Sequence, residues 1–357
     1  MPTMDSTYRV LVTGFVPFGG HATNISQAVA SAMEGRRLTT CPWSKEERSV
    51  MVEVDILPVD ETGAQRTAHR LLSGEHWDAI LHVGLCDSCV LPRIERLASD
   101  WLNMRMPDNA GRQITTSPLD GEGHRGCWVD PTLWNKDFFP CDYTLSTDAG
   151  AYLCNETYHA TVKALCELPT PGALPTPCLF LHLPGEKNIS METAIAFTDA
   201  TLAYLLNPFP SDSVHVVAAA IAMDDRYLIT KRSMTEADAG QWEFPGGKCD
   251  PGEDWRKAIR REIEEELGIQ IRPHHLLGSW HRTQDTASFV IHLVACSLED
   301  EHAKPELCVH EAFRWFSLTD GDPGPWAGRD GEMAAFLRAA FKSTSQTRRH
   351  RPLNVHR

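Results

Sequence analysis

A proline-containing break divides this chain into two stretches with different patterns. The break at residues 207–213 combines Pro208 and Pro210 with small polar residues, a composition typical of connections between folded units. The chain has 357 residues, and a single hydrophobic core rarely grows beyond roughly 250–300 residues. We therefore expect two domains, at residues 1–207 and 214–342, joined by a linker at 208–213 and followed by a disordered basic tail at 343–357.

Short apolar runs alternate with helix-compatible stretches before the break. The predicted elements there are strand 10–13, helix 26–33, strands 52–57 and 79–83, helix 155–168 and strand 178–183. Such alternation is typical of an α/β domain with a largely parallel sheet. After the break, the predicted elements are strands 216–222 and 227–230, helix 254–267, strands 288–296 and 313–316, and helix 331–341. This second set indicates a compact mixed sheet with helices.

The composition argues against several classes of partner. A formal net charge of −14 opposes binding along a nucleic-acid polymer, which needs a concentrated cationic surface. The longest apolar runs fall short of the roughly 18 residues that a membrane-spanning helix needs, so we expect no membrane partner. The N-terminus lacks the apolar stretch of a secretory signal, and the eleven cysteines are scattered through a long chain. We therefore expect a cytoplasmic protein with reduced thiols.

Three glutamates crowd one side of the helix predicted to end at Gly268. Glu265 and Glu266 follow Glu262 by three and four residues, which is about one helical turn. The three carboxylates therefore project in similar directions. Like charges at these spacings destabilise a helix by roughly 0.2–0.5 kcal/mol per pair. The cluster therefore predicts compensation by Arg261 and by divalent cations, and oxygen ligands favour Mg²⁺ or Mn²⁺. The alternative is a solvated acidic helix face.

The segment at residues 247–269 resembles the Nudix box, G-x5-E-x7-R-E-U-x-E-E-x-G-U with U apolar, at every fixed position. The resemblance covers about residues 214–341. It implies that Glu265 and Glu266 bind metal with help from the Gly247 carbonyl, and that Glu262 binds metal or acts as a base. It also implies that Arg261 orients the glutamates and that Glu253 supports the loop. The implied reaction is attack of a metal-activated water on a diphosphate.

Residues outside the box suggest the substrate. The runs at 228–232 and 239–244 resemble the Nudix branch that acts on oxidised or non-standard nucleoside triphosphates, such as 8-oxo-dGTP and modified CTP. This resemblance implies that Arg232 contacts the phosphate or the base of the substrate. The alternative is that Arg232 is merely an exposed cation at the end of a strand. Glu311 resembles an additional metal-binding or basic glutamate of that branch. Asp330 sits where relatives place a base-reading residue, and a helix N-cap is its alternative.

Cys154 and His182 form a candidate nucleophile and base in the first domain. Cys154 lies where a turn gives way to a predicted helix, and a helix N-terminus stabilises a thiolate. His182 ends an apolar strand, so neighbouring strand ends could bring the two together. Considered without their surroundings, such residues are more often part of a core than of a catalytic pair.

The surroundings of both residues resemble pyroglutamyl peptidase I. The resemblance spans about residues 8–205 and rests on the segments at 10–20, 95–98, 107–111, 146–155 and 180–184. It implies that Cys154 is the nucleophile, His182 the base, and Glu95 the residue that orients the imidazole. It also implies that Phe15 and Phe18 flank the lactam ring, with core aromatics as the alternative. No cofactor is expected for this domain.

These resemblances imply a fold class of α/β, with two α/β/α layered domains. The first would be a phosphorylase/hydrolase-type sandwich at residues 1–207 and the second a Nudix mixed-sheet fold at 214–342. The predicted function is a bifunctional hydrolase acting on nucleotides and on short peptides with N-terminal pyroglutamate. No oligomeric state follows from the sequence.

Three alternatives stay open. Asp100 and an insertion near residues 121–135 depart from the peptidase pattern, so the first domain could be an inactive binding module beside an active Nudix enzyme. A scaffold with two inactive domains is a further reading. Finally, the Cys-x-x-Cys at residues 86–89 and the His-x-x-Cys at 124–127 have spacings compatible with a four-ligand zinc site.

Overall fold

The computed structural model describes residues 7–168, 174–224, 226–235, 237–284 and 286–348, the last eight of these by their backbone alone. The described residues form two seven-stranded sheets, one before and one after the break at residues 207–213. The predicted class, two mixed α/β units with helices flanking sheets, is confirmed.

The first sheet is mainly parallel and lies between two layers of helices. Its strands follow the order β2-β3-β1-β4-β9-β5-β8, in which β3, β1, β4 and β9 are parallel neighbours. The strands are β1 (Tyr8–Phe15), β2 (Gly35–Thr40), β3 (Glu47–Leu57), β4 (Ala79–Cys86), β5 (Arg93–Glu95), β8 (Thr144–Ser146) and β9 (Cys178–Pro184). The helices are α1 (Ile25–Met33), α2 (Glu61–Leu72), α3 (Leu153–Glu167) and α4 (Met191–Leu206).

Alternation along the central strands places a hydrophobic core on each face of this sheet. Val10 and Val12 of β1 pack with residues of α1 and α4, whereas Leu11 of the same strand packs with residues of α2 and α3. Successive side chains of a strand point to opposite faces, so a strand covered on both sides is apolar throughout. This explains the continuous apolar runs of β1, β4 and β9.

The second sheet is mixed. Its main path is β12-β11-β10-β15-β14, with β13 paired to β10 and β16 paired to β11. The strands are β10 (Val214–Met223), β11 (Arg226–Lys231), β12 (Trp242–Glu243), β13 (Gly246–Lys248), β14 (Ile271–Gln284), β15 (Ala287–Leu298) and β16 (Ala312–Ser317). Helices α5 (Trp255–Leu267) and α6 (Asp330–Arg348) contribute to two separate cores.

The predicted elements occur near their expected positions, and the break connects α4 to β10. Helices α2 and α4 and the long strand β14 were not among the predictions. Helix α6 continues to Arg348, so the start of the predicted disordered tail is helical. The remainder of that tail, at 349–357, lies outside the described residues. Every helix in the described ranges is too short or too polar to span a bilayer.

The insertion near residues 121–135 contacts both sheets. Its short strand β7 (Arg125–Gly126) pairs with β6 (Leu97–Ala98) of the N-terminal half and packs against β14 of the C-terminal half. Trp128, which follows β7, is buried in the core that contains helix α5. The insertion therefore joins the two halves at a point remote in sequence from the break.

The expectation of reduced thiols is wrong for one pair of cysteines. Cys86 and Cys89 form a disulfide, and the other nine cysteines are free. The zinc-site alternative fails for the same reason, since disulfide sulfurs offer no thiolate. Of its other two members, His124 accepts a hydrogen bond from the Asp100 amide, and Cys127 faces the Val129 carbonyl.

Candidate active sites

Three adjacent elements of the N-terminal half bring Cys154, His182 and Glu95 together. Cys154 is the second residue of α3, where backbone N–H groups without intrahelical partners favour a thiolate. His182 lies near the end of β9, and Glu95 ends β5, the antiparallel neighbour of β9. On the other side of β9, Gly84 of β4 is in register with His182. A Cβ atom on Gly84 would lie 3.1 Å from Cys154 Sγ, so glycine leaves room for the thiol.

The imidazole of His182 is held between a carboxylate and the thiol. Its Nδ1 lies 2.8 Å from Oε1 of Glu95, whose side chain is fully buried. Burial lowers the pKa of His182, but hydrogen bonds to Cys154 and Glu95 outweigh it and raise that pKa to about 9. The arrangement therefore favours a protonated imidazole beside the sulfur. Oε2 of Glu95 is buried without a hydrogen-bond partner among the described residues.

The two candidate aromatic residues occupy different environments. Phe15 is only 3% exposed and belongs to the core, with its ring 6.3 Å from that of Phe180. Phe18 is partly buried, and its ring lies 6.1 Å from that of Tyr152, two residues before Cys154. Phe18 therefore packs beside a residue that is close to the nucleophile in sequence, whereas Phe15 packs within the core. Tyr152 was overlooked, although it lies within the segment that carries the resemblance.

In the C-terminal half, Arg261 organises the acidic residues of the box. Its Nε and Nη2 donate to the Glu253 carboxylate at 3.1 and 2.9 Å, and its Nη1 donates to Glu262 at 2.8 Å. Arg261 Nη1 also lies 3.5 Å from Oε2 of Glu265, and its Nη2 donates to the Lys248 carbonyl. One guanidinium thus balances several carboxylates and ties helix α5 to the preceding loop.

Glycines allow two of the box glutamates to approach the loop. A Cβ atom on Gly247 would lie 2.3 Å from Oε2 of Glu262, so any side chain there would displace this carboxylate. Glu266 accepts a hydrogen bond from the Gly246 amide at 3.2 Å. Burial, with smaller contributions from Glu243 and Glu262, raises the pKa of Glu266 to about 7. Its carboxylate therefore lacks full compensation by neighbouring cations.

The donor set of the box fits a hard divalent cation. Glu262 and Glu266 face the glycine loop, while the Glu265 side chain is 61% exposed and turned toward solvent and Arg261. Carboxylate and carbonyl oxygens are the ligands that Mg²⁺ and Mn²⁺ prefer. A cation at this position would also favour the ionised form of Glu266.

A different set of side chains forms the tightest group of potential ligands in the described part of the chain. It consists of Asp100, Asp120 and His159, whose ligand atoms lie within 4.8 Å of one another. Arg125 and Lys163 pair with Asp120 and balance its charge. The Asp100 carboxylate accepts hydrogen bonds from four backbone amides, those of Leu119, Asp120, Gly121 and Gly123. Asp100, the departure noted in the sequence, thus anchors the start of the insertion.

The candidate substrate residues outside the box are all held by neighbours. Arg232 Nη1 donates to Oε2 of Glu243 at 2.5 Å, so it is not a free strand-end cation. Asp330 begins helix α6, and its Oδ1 accepts a hydrogen bond from the Phe244 amide at 2.7 Å, which is a contact outside its own helix. Burial raises the pKa of Asp330 to about 8.

Glu311 and its neighbour His310 point to different partners. Glu311 forms an ion pair with Lys231 at 3.4 Å. His310 is buried, and its Nε2 lies 3.1 Å from Oε1 of Glu243, close enough to Glu266 to lower the pKa of that carboxyl. His310 and Glu243 were not among the predicted site residues. Glu243 lies in the lead-in to the box, whereas nothing local in the sequence singles out His310.

Comparisons with known proteins match two separate stretches of the chain. The family model described as pyroglutamyl peptidase matches residues 8–191, and the model described as NUDIX domain matches residues 213–337. The chain belongs to both families. It therefore joins a pyroglutamyl peptidase region to a Nudix region, and both memberships support hydrolase activity.

Individual relatives match one region or the other. The CTP pyrophosphohydrolase of Escherichia coli is 36% identical over 117 residues, which is 33% of this chain and 85% of the relative. The pyrrolidone-carboxylate peptidase of Deinococcus radiodurans is 30% identical over 235 residues, 64% of this chain and 98% of the relative. A solved mutant pyrrolidone carboxyl peptidase from Pyrococcus furiosus is 24% identical, with a TM-score of 0.48 over 56% of this chain and 100% of its own.

Proposed function

We propose that the chain is a bifunctional hydrolase. In this proposal the peptidase region removes N-terminal pyroglutamate from short peptides, and the Nudix region hydrolyses nucleoside triphosphates. The observation that carries the first activity is the hydrogen-bonded series of Cys154, His182 and Glu95. It also argues against an inactive peptidase region, because the fold retains the acid, the base and the thiol in contact.

For the peptidase reaction, His182 takes the proton of the Cys154 thiol, and the thiolate attacks the carbonyl carbon of the pyroglutamyl residue. Glu95 fixes the orientation of the imidazole and stabilises its charged form. His182 then gives its proton to the leaving amine. Water hydrolyses the resulting thioester, which releases pyroglutamate and restores the thiol. Phe18 is the aromatic side chain that would flank the lactam ring.

For the Nudix reaction, Glu262, Glu265, Glu266 and the Gly247 carbonyl would hold Mg²⁺ or Mn²⁺. When bound, such a cation neutralises charge on the oxygens of the diphosphate. Glu262 lies against the glycine loop, where it would either complete the ligand set or take a proton from the attacking water. Arg261 orients these carboxylates through its hydrogen bonds to Glu262 and Glu265. Glu311 would become a further metal ligand only after its ion pair with Lys231 is broken.

The substrate class is inferred from the lead-in and from the relatives. The E. coli relative is named a CTP pyrophosphohydrolase, which supports a nucleoside triphosphate, and we infer that the base is oxidised or non-standard. Arg232 would contact the phosphates or the base, and the partly buried Asp330 would contact the base. Since nine of eleven cysteines are free, we also infer a reducing compartment, the cytoplasm.

Paired assays on the full chain test both activities. We expect the protein to cleave a fluorogenic pyroglutamyl amide and, with Mg²⁺, to release diphosphate from at least one member of a panel of normal and oxidised nucleoside triphosphates. Cys154→Ala should abolish only the first activity and Glu265→Gln only the second. Survival of both activities in both variants would refute the assignments. A wild-type protein that hydrolyses nucleotides but not the amide would support the binding-module alternative.

A further inference from the structure

A buried carboxylate of the peptidase region accepts hydrogen bonds from the Nudix region. Asp130 belongs to the insertion, and its side chain is only 1% exposed. Its Oδ2 accepts hydrogen bonds from the His281 amide at 2.8 Å and from Arg329 Nη1 at 2.6 Å. Its Oδ1 accepts from the amide of Thr132. A buried carboxylate with this many donors is held in one position.

The insertion that carries Asp130 is locked against the second sheet. A Cβ atom on Gly126 would lie 1.8 Å from the Leu277 carbonyl oxygen, so only glycine permits this approach of two backbones. Trp128 packs with its ring 5.9 Å from that of Trp255, the first residue of the glutamate helix α5. The packing of the residues that precede Asp130 therefore fixes its position relative to the Nudix region.

Arg329 connects Asp130 to a residue of the proposed nucleotide site. Besides its ion pair with Asp130, Arg329 Nη1 donates to the His281 carbonyl at 2.7 Å. The next residue, Asp330, accepts from the Phe244 amide, and Phe244 lies two residues before Gly246, which donates to Glu266. Hydrogen bonds and short backbone segments thus connect the insertion to the lead-in of the box.

A second partly buried arginine makes the charge of Asp130 important. Arg96 follows Glu95 and lies over the rings of Trp280 and Phe336 of the Nudix region, at 5.5 and 4.9 Å. Burial lowers the pKa of Arg96, and Asp130 opposes that shift while Arg329 adds to it. The negative charge of Asp130 offsets the repulsion between the guanidinium groups of Arg96 and Arg329. Without that charge, the repulsion would be stronger.

We propose that Asp130, supplied by the peptidase region, is a positioning residue for the Nudix site: by fixing Arg329 it holds Asp330 on the Phe244 amide and so sets which nucleobase the site accepts. This inference rests on the proposed nucleotide function of Asp330. Asp130 itself is separated from that site by Arg329, so it acts through another residue.

The test compares Asp130→Asn with Glu332→Gln in the full chain. Glu332 is the other carboxylate paired with Arg329, but its side chain is 55% exposed and belongs to the Nudix region. The readout is selectivity, the ratio of kcat/KM between the best and the poorest of CTP, GTP and 8-oxo-dGTP. Asp130→Asn should lower this ratio at least about fivefold, a typical size for coupling through an intermediate group. Glu332→Gln should leave it unchanged.

A merely structural role would reduce kcat/KM for all three nucleotides by the same factor and leave the ratio intact, which would overturn the proposal. In a double variant, Asp130→Asn should add no further loss of selectivity to that of Asp330→Asn, because both act on the same contact. Arg329→Lys, which keeps the charge but loses the planar fork, serves as a second variant if Asp130→Asn does not fold.

Hydrogen–deuterium exchange at the Phe244 amide separates failure of this inference from failure of the proposed function. Asp130→Asn should accelerate exchange at this amide, whereas Glu332→Gln should not. If the wild-type protein hydrolyses none of the three nucleotides, the proposed function fails, yet faster exchange would still support the positioning contact. Unchanged exchange in both variants would overturn the inference whatever the activity.

Discussion

Nδ1 of His182 lies 2.8 Å from Oε1 of Glu95, and both residues are buried and come from antiparallel neighbouring strands. This contact sets the orientation of the ring, because the nitrogen that faces the carboxylate must carry a proton. The opposite edge of the ring is then left for the thiol of Cys154. The geometry makes Glu95 responsible for the tautomer of the base, and Cys154 and Glu95 together raise the pKa that keeps it charged.

Glu95→Gln should reduce cleavage of a pyroglutamyl amide, by up to about 10⁴-fold if its role matches that of a triad carboxylate. The pKa of His182 is raised to about 9, so the imidazolium is present below that pH and lost as pH rises through it. Removing the Glu95 charge should lower this pKa and move the alkaline limb of the pH–rate profile toward neutral pH. The exposed Glu186, just past β9, gives the control variant Glu186→Gln. An alkaline limb that stays in place would contradict the assigned role of Glu95.

Removal of divalent cations should separate the two activities. We expect EDTA to abolish nucleotide hydrolysis and leave peptidase turnover unchanged, with Mg²⁺ or Mn²⁺ restoring the former. Glu262→Gln should lower nucleotide hydrolysis by more than the roughly 10- to 100-fold caused by loss of a group that supports a metal ligand. Glu264→Gln, an exposed position on the same helix, is the matched control. Equal effects at both positions would contradict the assignment of the box.

Acid should destabilise the protein through buried neutral histidines such as His82. Its two nitrogens contact Thr13 and Thr161, and burial lowers its pKa to about 3. The unfolded chain takes up a proton at this residue below its ordinary pKa of 6.5, whereas the folded chain does not until about pH 3. The free energy of unfolding should therefore fall as pH drops from 6.5, by at most about 1.4 kcal/mol per pH unit for this residue.

Urea unfolding at pH 7.5, 6 and 5 measures how the free energy of unfolding depends on pH, because these values lie on both sides of the ordinary pKa of histidine. His82→Gln should be less stable at neutral pH but show a shallower loss on acidification. His69→Gln alters an exposed histidine of α2 and should keep the full slope. An identical slope in the wild-type and His82→Gln proteins would count against the role given to this residue.

Trp128→Ala should destabilise the Nudix region although the substitution lies in the peptidase region. Trp128 is 3% exposed and contacts Trp255 and His292. Replacement of a buried tryptophan by alanine typically costs about 3–5 kcal/mol. Trp134→Ala removes a tryptophan of the first core, where it stacks on Tyr204. Region-resolved amide exchange should show faster opening of α5 in the first variant and of α4 in the second; the same pattern in both would refute the prediction.

Local signals explain what could be predicted from the sequence. Helix α5 lies where its pattern placed it, since Asp254 caps its start and Gly268, with φ of 61°, ends it in the left-handed conformation. Local patterns also predict strand β9, which carries His182, and helix α3, which begins near the thiol. These features depend on neighbouring residues in the chain, so a single sequence contains them.

Long-range packing explains what was missed. Strand β14 contains Pro273 and several polar residues, and its register with β15 shifts at two points, so it lacks a regular alternation. The burial of Trp128 and Asp130 depends on contacts with residues more than a hundred positions away. No pattern within the insertion distinguishes such residues from those of a surface loop.

The linker itself shares in this packing. Phe209 is 9% exposed and lies near the rings of His281 and His292, while Trp43 donates a hydrogen bond to the Asn207 carbonyl. Together with the contacts of Gly126 and Asp130, these interactions do not depend on an unbroken backbone. Limited proteolysis at 210–213 should therefore yield a nicked protein whose fragments migrate as one species, and the two halves should stay together at a one-to-one ratio until they denature.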